Sequence, residues 1–454
     1  MTDISPAQLY ITASGHLYHA GKICIVMVGL PARGKTSRTV AICRYLRWLG
    51  VKAAKFHMSD YRRSQLGSEA DLPEDYFKFT SQVRDGLVRS ALDDIAQFYS
   101  NGGQVALLDG INPLASERRK LHAQFVKDGV ECLFIECSVT SEQLLARNIQ
   151  AINRETPEYA AKNPEEATQM HLRKLKHAFT FYEPMNEKEL VYIKIQNEGE
   201  KIVINHGPLG YLMNRVLLFN FNFRRRIGSI FFARAGKTAP NSNEDDDLCD
   251  EGTLYSLALS QTLIDHLNSP EHLVREKTNL DANQFRQFAD IHSGCHTPLN
   301  APGELDLVVF TSSRVKAIQT AEPFKRAGFK TTPYSLLTRR KEGDFKPESA
   351  ELFEKDPYHF SFPRGESYQD VAIRLEPVIL ELERIESSVL IIAHESVLAV
   401  LYGYFMGLST QDIPNLKFPE TQIVELHSCG YQFTSKKISI TGSLLGGGVR
   451  KHFC

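Results

Sequence analysis

No apolar stretch in this 454-residue chain is long enough to cross a bilayer, and Met1-Thr2-Asp3-Ile4 does not open a secretory signal. The eight cysteines, at 24, 43, 132, 137, 249, 295, 429 and 454, include no C-x-x-C pair. That scatter argues against a zinc site or a disulfide framework and fits a reducing, cytoplasmic location. An excess of one charge is lacking too. With 53 Lys and Arg against 54 Asp and Glu, the net charge of −1 gives no general attraction to nucleic acid or membrane. Any anion binding must come from local basic sites. No long repeat or low-complexity segment is present. What remains is a globular composition, 42% hydrophobic and 24% charged, at a length that calls for two or three domains.

One stretch organises the rest. Ile23-Cys24-Ile25-Val26-Met27-Val28 runs straight into Gly29-Leu30-Pro31-Ala32-Arg33-Gly34-Lys35-Thr36. An apolar, β-branched run that ends in Gly-x-x-x-x-Gly-Lys-Thr reads as a buried strand feeding a phosphate-binding loop. The two glycines let successive backbone N–H groups curl around an anion. The helix expected from about Lys35 to Leu49 aims the positive end of its dipole at the same point. Lys35 then serves the β- and γ-phosphates of a nucleoside triphosphate, and the Thr36 hydroxyl serves Mg²⁺. An ordinary Gly-rich turn between strand and helix is the plain alternative.

Strand and helix signals alternate from there. Val51 to Met58 reads as a short strand emptying into Ser59-Asp60-Tyr61-Arg62-Arg63, where an Arg pair suits a second phosphate or simply a solvated turn. Val83 to Tyr99 reads as a helix carrying Arg84 and Arg89. Gln104 to Asp109 is a strand ending in a carboxylate, placed to bind Mg²⁺, to take a proton from an attacking hydroxyl, or to cap a helix. Glu131 to Cys137 is the next strand. Intervals of this length imply an α/β fold with a doubly wound parallel sheet.

The phosphate loop, Arg44-Tyr45-Leu46-Arg47-Trp48-Leu49-Gly50, Tyr61-Arg62-Arg63, Glu117-Arg118-Arg119, Tyr192-Ile193-Lys194 and Tyr211-Leu212-Met213-Asn214 together resemble the kinase half of 6-phosphofructo-2-kinase/fructose-2,6-bisphosphatase. The resemblance implies transfer of the ATP γ-phosphoryl to the 2-hydroxyl of fructose 6-phosphate. It implies an ATP·Mg²⁺ site formed by Gly29 to Ser37 and Asn148. It also implies a sugar-phosphate site drawing on Arg62 or Arg63, Arg84, Arg118 and Lys174, with Asp109 as the catalytic Asp. A homodimer is a further expectation by resemblance. Departures fall on the sugar side. The family's Ala-Thr-Asn-Thr-Thr after that Asp reads Gly110-Ile111-Asn112-Pro113, and a family Lys reads Asn153, with Arg154 next to it. A family Cys reads Val139, with Cys137 two residues earlier. A sugar-binding Arg reads Lys174 and a nearby Tyr reads Ala178.

Gln196 to Glu200 reads as a surface turn. Val216 to Phe223 followed by Arg224-Arg225-Arg226 reads as an interdomain joint with a solvated basic face. The expected division is a lead-in over 1–20, a kinase-like domain over 21–225, a histidine-phosphatase-like domain over 226–445 and a flexible tail over 446–454. In the second half, Ser229 to Thr238 aligns with the Arg-His-Gly-Glu signature of histidine phosphatases, whose His is the nucleophile. Here Arg234 stands, but Ala235 holds the His position and Lys237 the Glu position. The following Arg-Gly-Arg of the family is replaced by the acidic run Glu244 to Asp247. Lys316 stands for an Arg, and Leu337-Thr338-Arg339 shows no acid. His394 survives as the second His, without its partner. The sequence therefore reads as a sugar-phosphate kinase fused to a phosphatase-type domain that does not hydrolyse. The alternatives are an ATP-binding pseudoenzyme that acts through protein contacts, and a kinase for another phosphorylated sugar.

Overall fold

The computed structural model describes residues 21–67, 82–207, 210–239, 247–269, 272, 280–289, 306–344 and 350–440. The lead-in 1–20, the tail 446–454 and the first three residues of the acidic run lie outside the described residues.

The first half builds a six-stranded sheet. Its elements are β1 (Lys22–Val28), α1 (Lys35–Trp48), β2 (Ala53–His57), α2 (Met58–Leu66), α3 (Gln82–Ser100), β3 (Val105–Asp109), α4 (Ala115–Lys127) and β4 (Val130–Ser138). They continue with α5 (Glu142–Glu155), α6 (Pro157–Ala160), α7 (Pro164–Phe179), β5 (Tyr192–Gln196), β6 (Lys201–Asn205) and α8 (Tyr211–Asn222). The strand order is β2-β3-β1-β4-β5-β6. All neighbours run parallel except β5 and β6. Six of the seven residues of β1 are buried, which is why its sequence is continuously apolar rather than alternating.

The second half builds another six-stranded sheet. It contains β7 (Ile230–Arg234), α9 (Asp250–Leu267), β8 (Leu307–Ser312), α10 (Val315–Arg326), β9 (Lys330–Tyr334) and α11 (Ala350–Lys355). Then come α12 (Tyr368–Arg374), α13 (Glu376–Arg384), β10 (Ser388–Ala393), α14 (Glu395–Met406), β11 (Gln422–Ser428) and β12 (Phe433–Ser439). The order is β12-β11-β7-β10-β8-β9, with β11 and β12 antiparallel. Both halves are α/β, as the alternation of strand and helix predicts.

The two sheets share one apolar core that runs from Trp48 and Phe219 on the first side to Val378 and Tyr404 on the second. Trp48 meets Tyr404 edge-on at 5.3 Å. Buried charge pins the same face. Glu383 takes Arg44 at 2.6 Å and the Tyr404 hydroxyl at 2.7 Å, and Glu376 takes the Tyr45 hydroxyl at 2.6 Å.

Three local expectations are corrected. The Arg triplet is not a solvated face. Arg226 donates to the Ser387 carbonyl at 2.9 Å and to that of Leu382, while Arg225 pairs with Glu155 at 3.2 Å. Carbonyls left free where α13 ends make this the natural seat for guanidinium groups. The 196–200 turn is not on the surface, because Glu198 is buried and takes Arg147 at 3.1 Å. The strand expected over Val51 to Met58 narrows to β2, and Met58 already opens α2. Arg62 and Arg63 therefore stand on a helix rather than in a turn.

Candidate active site

The phosphate loop closes between β1 and α1. Gly29 and Gly34 have φ of 137° and 77°, in the region that only glycine occupies freely. A Cβ at Gly29 would come within 2.4 Å of the Cys137 carbonyl oxygen on β4, so this strand end has no room for a side chain. Lys35 folds back, its Nζ donating to the Leu30 carbonyl at 2.7 Å. Burial, offset in part by Asp109, pushes its ammonium down to about 8.

Asp109 ends β3, next to β1, and lies level with His57 at the end of β2. One carboxylate oxygen accepts from the Thr36 hydroxyl at 2.6 Å and lies 2.9 Å from His57 Nδ1. Burial alone would raise the Asp109 carboxyl. The His57 and Thr36 hydrogen bonds and the Lys35 charge outweigh it and hold the group below the ordinary range. Half-buried Thr36 and buried Asp109 and His57 thus form one chain of polar groups. No sequence motif names His57. The available signal was a polar residue ending an otherwise apolar strand beside the Asp109 strand.

Lys35, Thr36 and Asp109 line a cavity of about 210 Å³, with His57 behind Asp109. Arg62, Arg63 and Lys174 face them across it, joined by Ile111 and by Glu158, Tyr159 and His171, which sequence reasoning missed. Arg62 is held by both Glu158 oxygens, at 2.9 and 2.8 Å. Arg225, Gly430 and Tyr431 line the cavity as well, so the joint and the second half help to build it.

Other expected residues fall elsewhere. Arg118 is fully buried, with Nε on Glu187 at 2.6 Å and Nη1 on the carbonyls of Asn112 and Glu183. Three internal acceptors hold Nε and Nη1 while Nη2 is buried without a partner, so Arg118 acts as a brace and does not line the cavity where it was expected to meet sugar phosphate. Arg84 lies over the Phe181 ring at 5.4 Å and does not line the cavity. Gly29 and Leu30 shape the loop from behind. Asn148 donates to the Ala32 carbonyl at 3.1 Å and accepts from Arg225 at 3.2 Å, bracing the loop from α5. Asn153 turns to Thr168 at 3.2 Å, and Arg154 lines the neighbouring cleft beside Lys436. Arg154 therefore does not take the place of a lysine at position 153. Ala178 is buried on α7 and does not line the cavity.

Among the described residues no group of three His, Cys, Asp or Glu could cage a metal ion. A Mg²⁺ shared with phosphates asks for less, one or two protein oxygens with the rest from phosphate and water. Thr36 and Asp109, 2.6 Å apart beside the anion loop, fit that requirement.

A second cavity, of about 290 Å³, lies at the ends of β7, β8 and β10. Arg234, Ala235, Lys237, Lys316 and Arg339 line it, and His394 completes it. His394 caps α14, its Nδ1 accepting from the Ser396 amide at 3.3 Å. Lys237 pairs with Glu251 at 2.8 Å and lies 3.5 Å from Glu420.

The family model for 6-phosphofructo-2-kinase matches residues 11–226, and that for branch 1 of the histidine phosphatase superfamily matches 301–441. A Saccharomyces cerevisiae protein, provisionally named a 6-phosphofructo-2-kinase/fructose-2,6-bisphosphatase, is 36% identical over 443 residues, covering 93% of this chain and 84% of its own length. The chain belongs to that family. A second protein of the same yeast, named fructose-2,6-bisphosphatase, is 30% identical over 92% of this chain and 88% of its own. The rat protein named 6-phosphofructo-2-kinase/fructose-2,6-bisphosphatase 4 is 29% identical, covering 90% of this chain and 82% of its own. Family membership gives the first half a 6-phosphofructo-2-kinase type of function and the second a histidine-phosphatase fold. No described helix is long and apolar enough to cross a membrane.

Proposed function

We propose that this chain transfers the γ-phosphoryl of ATP to the 2-hydroxyl of fructose 6-phosphate, and that its second half does not hydrolyse the product. The kinase-like domain of this proposal spans 21–225 and the phosphatase-like one 226–445. The observation that carries the kinase reading is the convergence of Lys35, Thr36 and Asp109 on one cavity that also holds Arg62, Arg63 and Lys174.

The loop amides and Lys35 hold the triphosphate, and Lys35 exchanges the Leu30 carbonyl for phosphate oxygens. Thr36 and Asp109 would hold Mg²⁺, which would supply charge neutralisation on the phosphates. Asp109 orients the attacking hydroxyl and accepts its proton as that oxygen bonds to the γ-phosphorus and the bond to the bridging oxygen of ADP breaks, while His57 holds the carboxylate in place. Arg63 and Lys174 meet the sugar phosphate. Arg62, held by Glu158, presents less free charge to it.

For the second half, a methyl group at Ala235 cannot attack phosphorus, and Leu337-Thr338-Arg339, near which the family's acid is expected, holds no carboxylate, with Arg339 lining the cavity. The cavity therefore binds anions without turnover. Ile111 on the sugar side and the Arg62–Glu158 pair favour a second reading, an ATP-binding pseudoenzyme that acts through protein contacts. The test is ADP release by purified protein given ATP·Mg²⁺ and a panel of hexose phosphates. Release with fructose 6-phosphate alone, abolished by Lys35→Met, supports the first reading. Release only with another sugar reassigns the substrate, and none at all supports the second reading.

A further inference from the structure

A further cavity between the halves contains neither the phosphate-loop residues nor Arg234 and His394. It measures about 680 Å³ and lies where the end of α1 and the start of β2 face the end of α14 and β12. That volume is in the range of small-molecule sites. Its two kinds of wall are complementary. Phe405, Met406, Leu408 and Phe433 give a partly aromatic wall from the second half, with Arg44, already paired to Glu383, over one side of the Phe405 and Phe433 rings. Arg47, Lys52 and Lys55 give a basic wall from the first. Among the described residues, no Asp or Glu lines the cavity. By contrast, the catalytic cavity carries Asp109, Glu155 and Glu158.

The basic wall is only distantly compensated, by Asp60 acting on Lys55. Arg47, Lys52 and Lys55 make no ion pair among the described residues, although most arginines near the joint do. Arg47 spends only its Nε, on the Ala53 carbonyl at 2.8 Å. Lys55 is half-buried, and burial holds its ammonium below the ordinary range. Arg47 and Lys55 repel one another there unless an anion joins them, and the exposed Lys52 adds a third like charge, its ammonium resting beside Gly102.

We propose that this interdomain cavity binds an organic phosphate with a flat aromatic body, of the chemical class of a nucleoside monophosphate. The phosphate meets Arg47, Lys52 and Lys55, and the ring lies against the Phe405 and Phe433 side. Charge alone would suit inorganic phosphate, and apolar area alone would suit an uncharged ring. Only a molecule with both uses both walls. Such an occupant touches both halves at once. Tyr431 lines this cavity and the catalytic one, and its ring stands edge-on to His57 at 5.9 Å. A ligand here therefore reaches the residue that holds Asp109.

The chain supplies its own reporter, because its one tryptophan, Trp48, lines this cavity. The experiment is a Trp48 fluorescence titration of the full chain with adenosine 5′-monophosphate, inorganic phosphate and adenosine in separate arms. It is run in the wild type and in Lys35→Met, which disables the phosphate loop. The proposal expects a saturable change with the monophosphate in both proteins. It expects at least about tenfold weaker binding for either fragment, since each lacks one set of contacts. Lys52→Ala and Lys55→Gln should each weaken the monophosphate severalfold and leave basal ADP release unchanged. No saturable change, or loss of the response in Lys35→Met, would overturn the proposal. So would equal binding by phosphate alone, or equal affinity in both lysine variants. The readout is binding, so an inactive kinase would leave it intact.

Discussion

Lys35 gives the sharpest prediction, because its charge is both needed and costly. An unfolded lysine titrates near 10.5, whereas burial brings this one to about 8. The difference amounts to about 3 kcal/mol against the charged form in the ligand-free protein. The sign follows from proton counting. Between about pH 8 and 10.5 the unfolded chain holds a proton that the folded chain has lost, so this group's contribution to folding stability rises with pH there. Nucleotide binding runs the other way, since a triphosphate needs the ammonium. If only the protonated form binds, the ATP dissociation constant grows about tenfold from pH 7 to pH 9. Calorimetric titration with ATP·Mg²⁺ across that range is the assay. Lys35→Arg keeps its charge throughout, so its profile should be nearly flat. A flat wild-type profile, or one as steep in the arginine variant, would show that Lys35 is not the group that meets the phosphates.

Three further outcomes follow from the same geometry. Asp109→Asn should lower turnover by roughly 10²- to 10⁴-fold with a smaller change in nucleotide affinity, measured as ADP release beside ATP titration. Unchanged turnover would remove Asp109 from the chemistry. Arg118→Ala should destabilise the fold by about 3–5 kcal/mol in a denaturant melt, because it strands Glu187, without a selective rise in sugar KM. A stable variant with a raised sugar KM would restore Arg118 to the substrate. Trp48→Ala should cost about 3–5 kcal/mol and shift the melting of both halves together, because one core joins them. Separate transitions, with only the first half moved, would refute a shared core.

The features legible in the sequence are those whose cause is local. The phosphate loop is written in eight consecutive residues, and its neighbours announce a strand and a helix. Asp109 was legible as a carboxylate at a strand end. What was hidden depends on partners far along the chain. His57 and Asp109 meet only because β2 and β3 pair in register, 52 residues apart. Arg118 looked like a phosphate ligand because Glu187, its partner, lies 69 residues on. The basic triplet looked solvated because its partners lie far along the chain, the Glu155 carboxylate for Arg225 and backbone carbonyls more than 150 residues away for Arg226, which no composition reveals. Tyr431 reached the catalytic cavity unannounced, because only the packing of the second half against the first puts it there.

The central claim is that one half of the chain transfers phosphate and the other does not remove it. The most direct measurement follows the label from γ-³²P-ATP in a single mixture of purified protein, Mg²⁺ and fructose 6-phosphate. The account predicts that label accumulates in fructose 2,6-bisphosphate and stays there, with neither inorganic phosphate nor a labelled His394 formed from it. Label released as inorganic phosphate from the bisphosphate, or label that never leaves ATP, would contradict it.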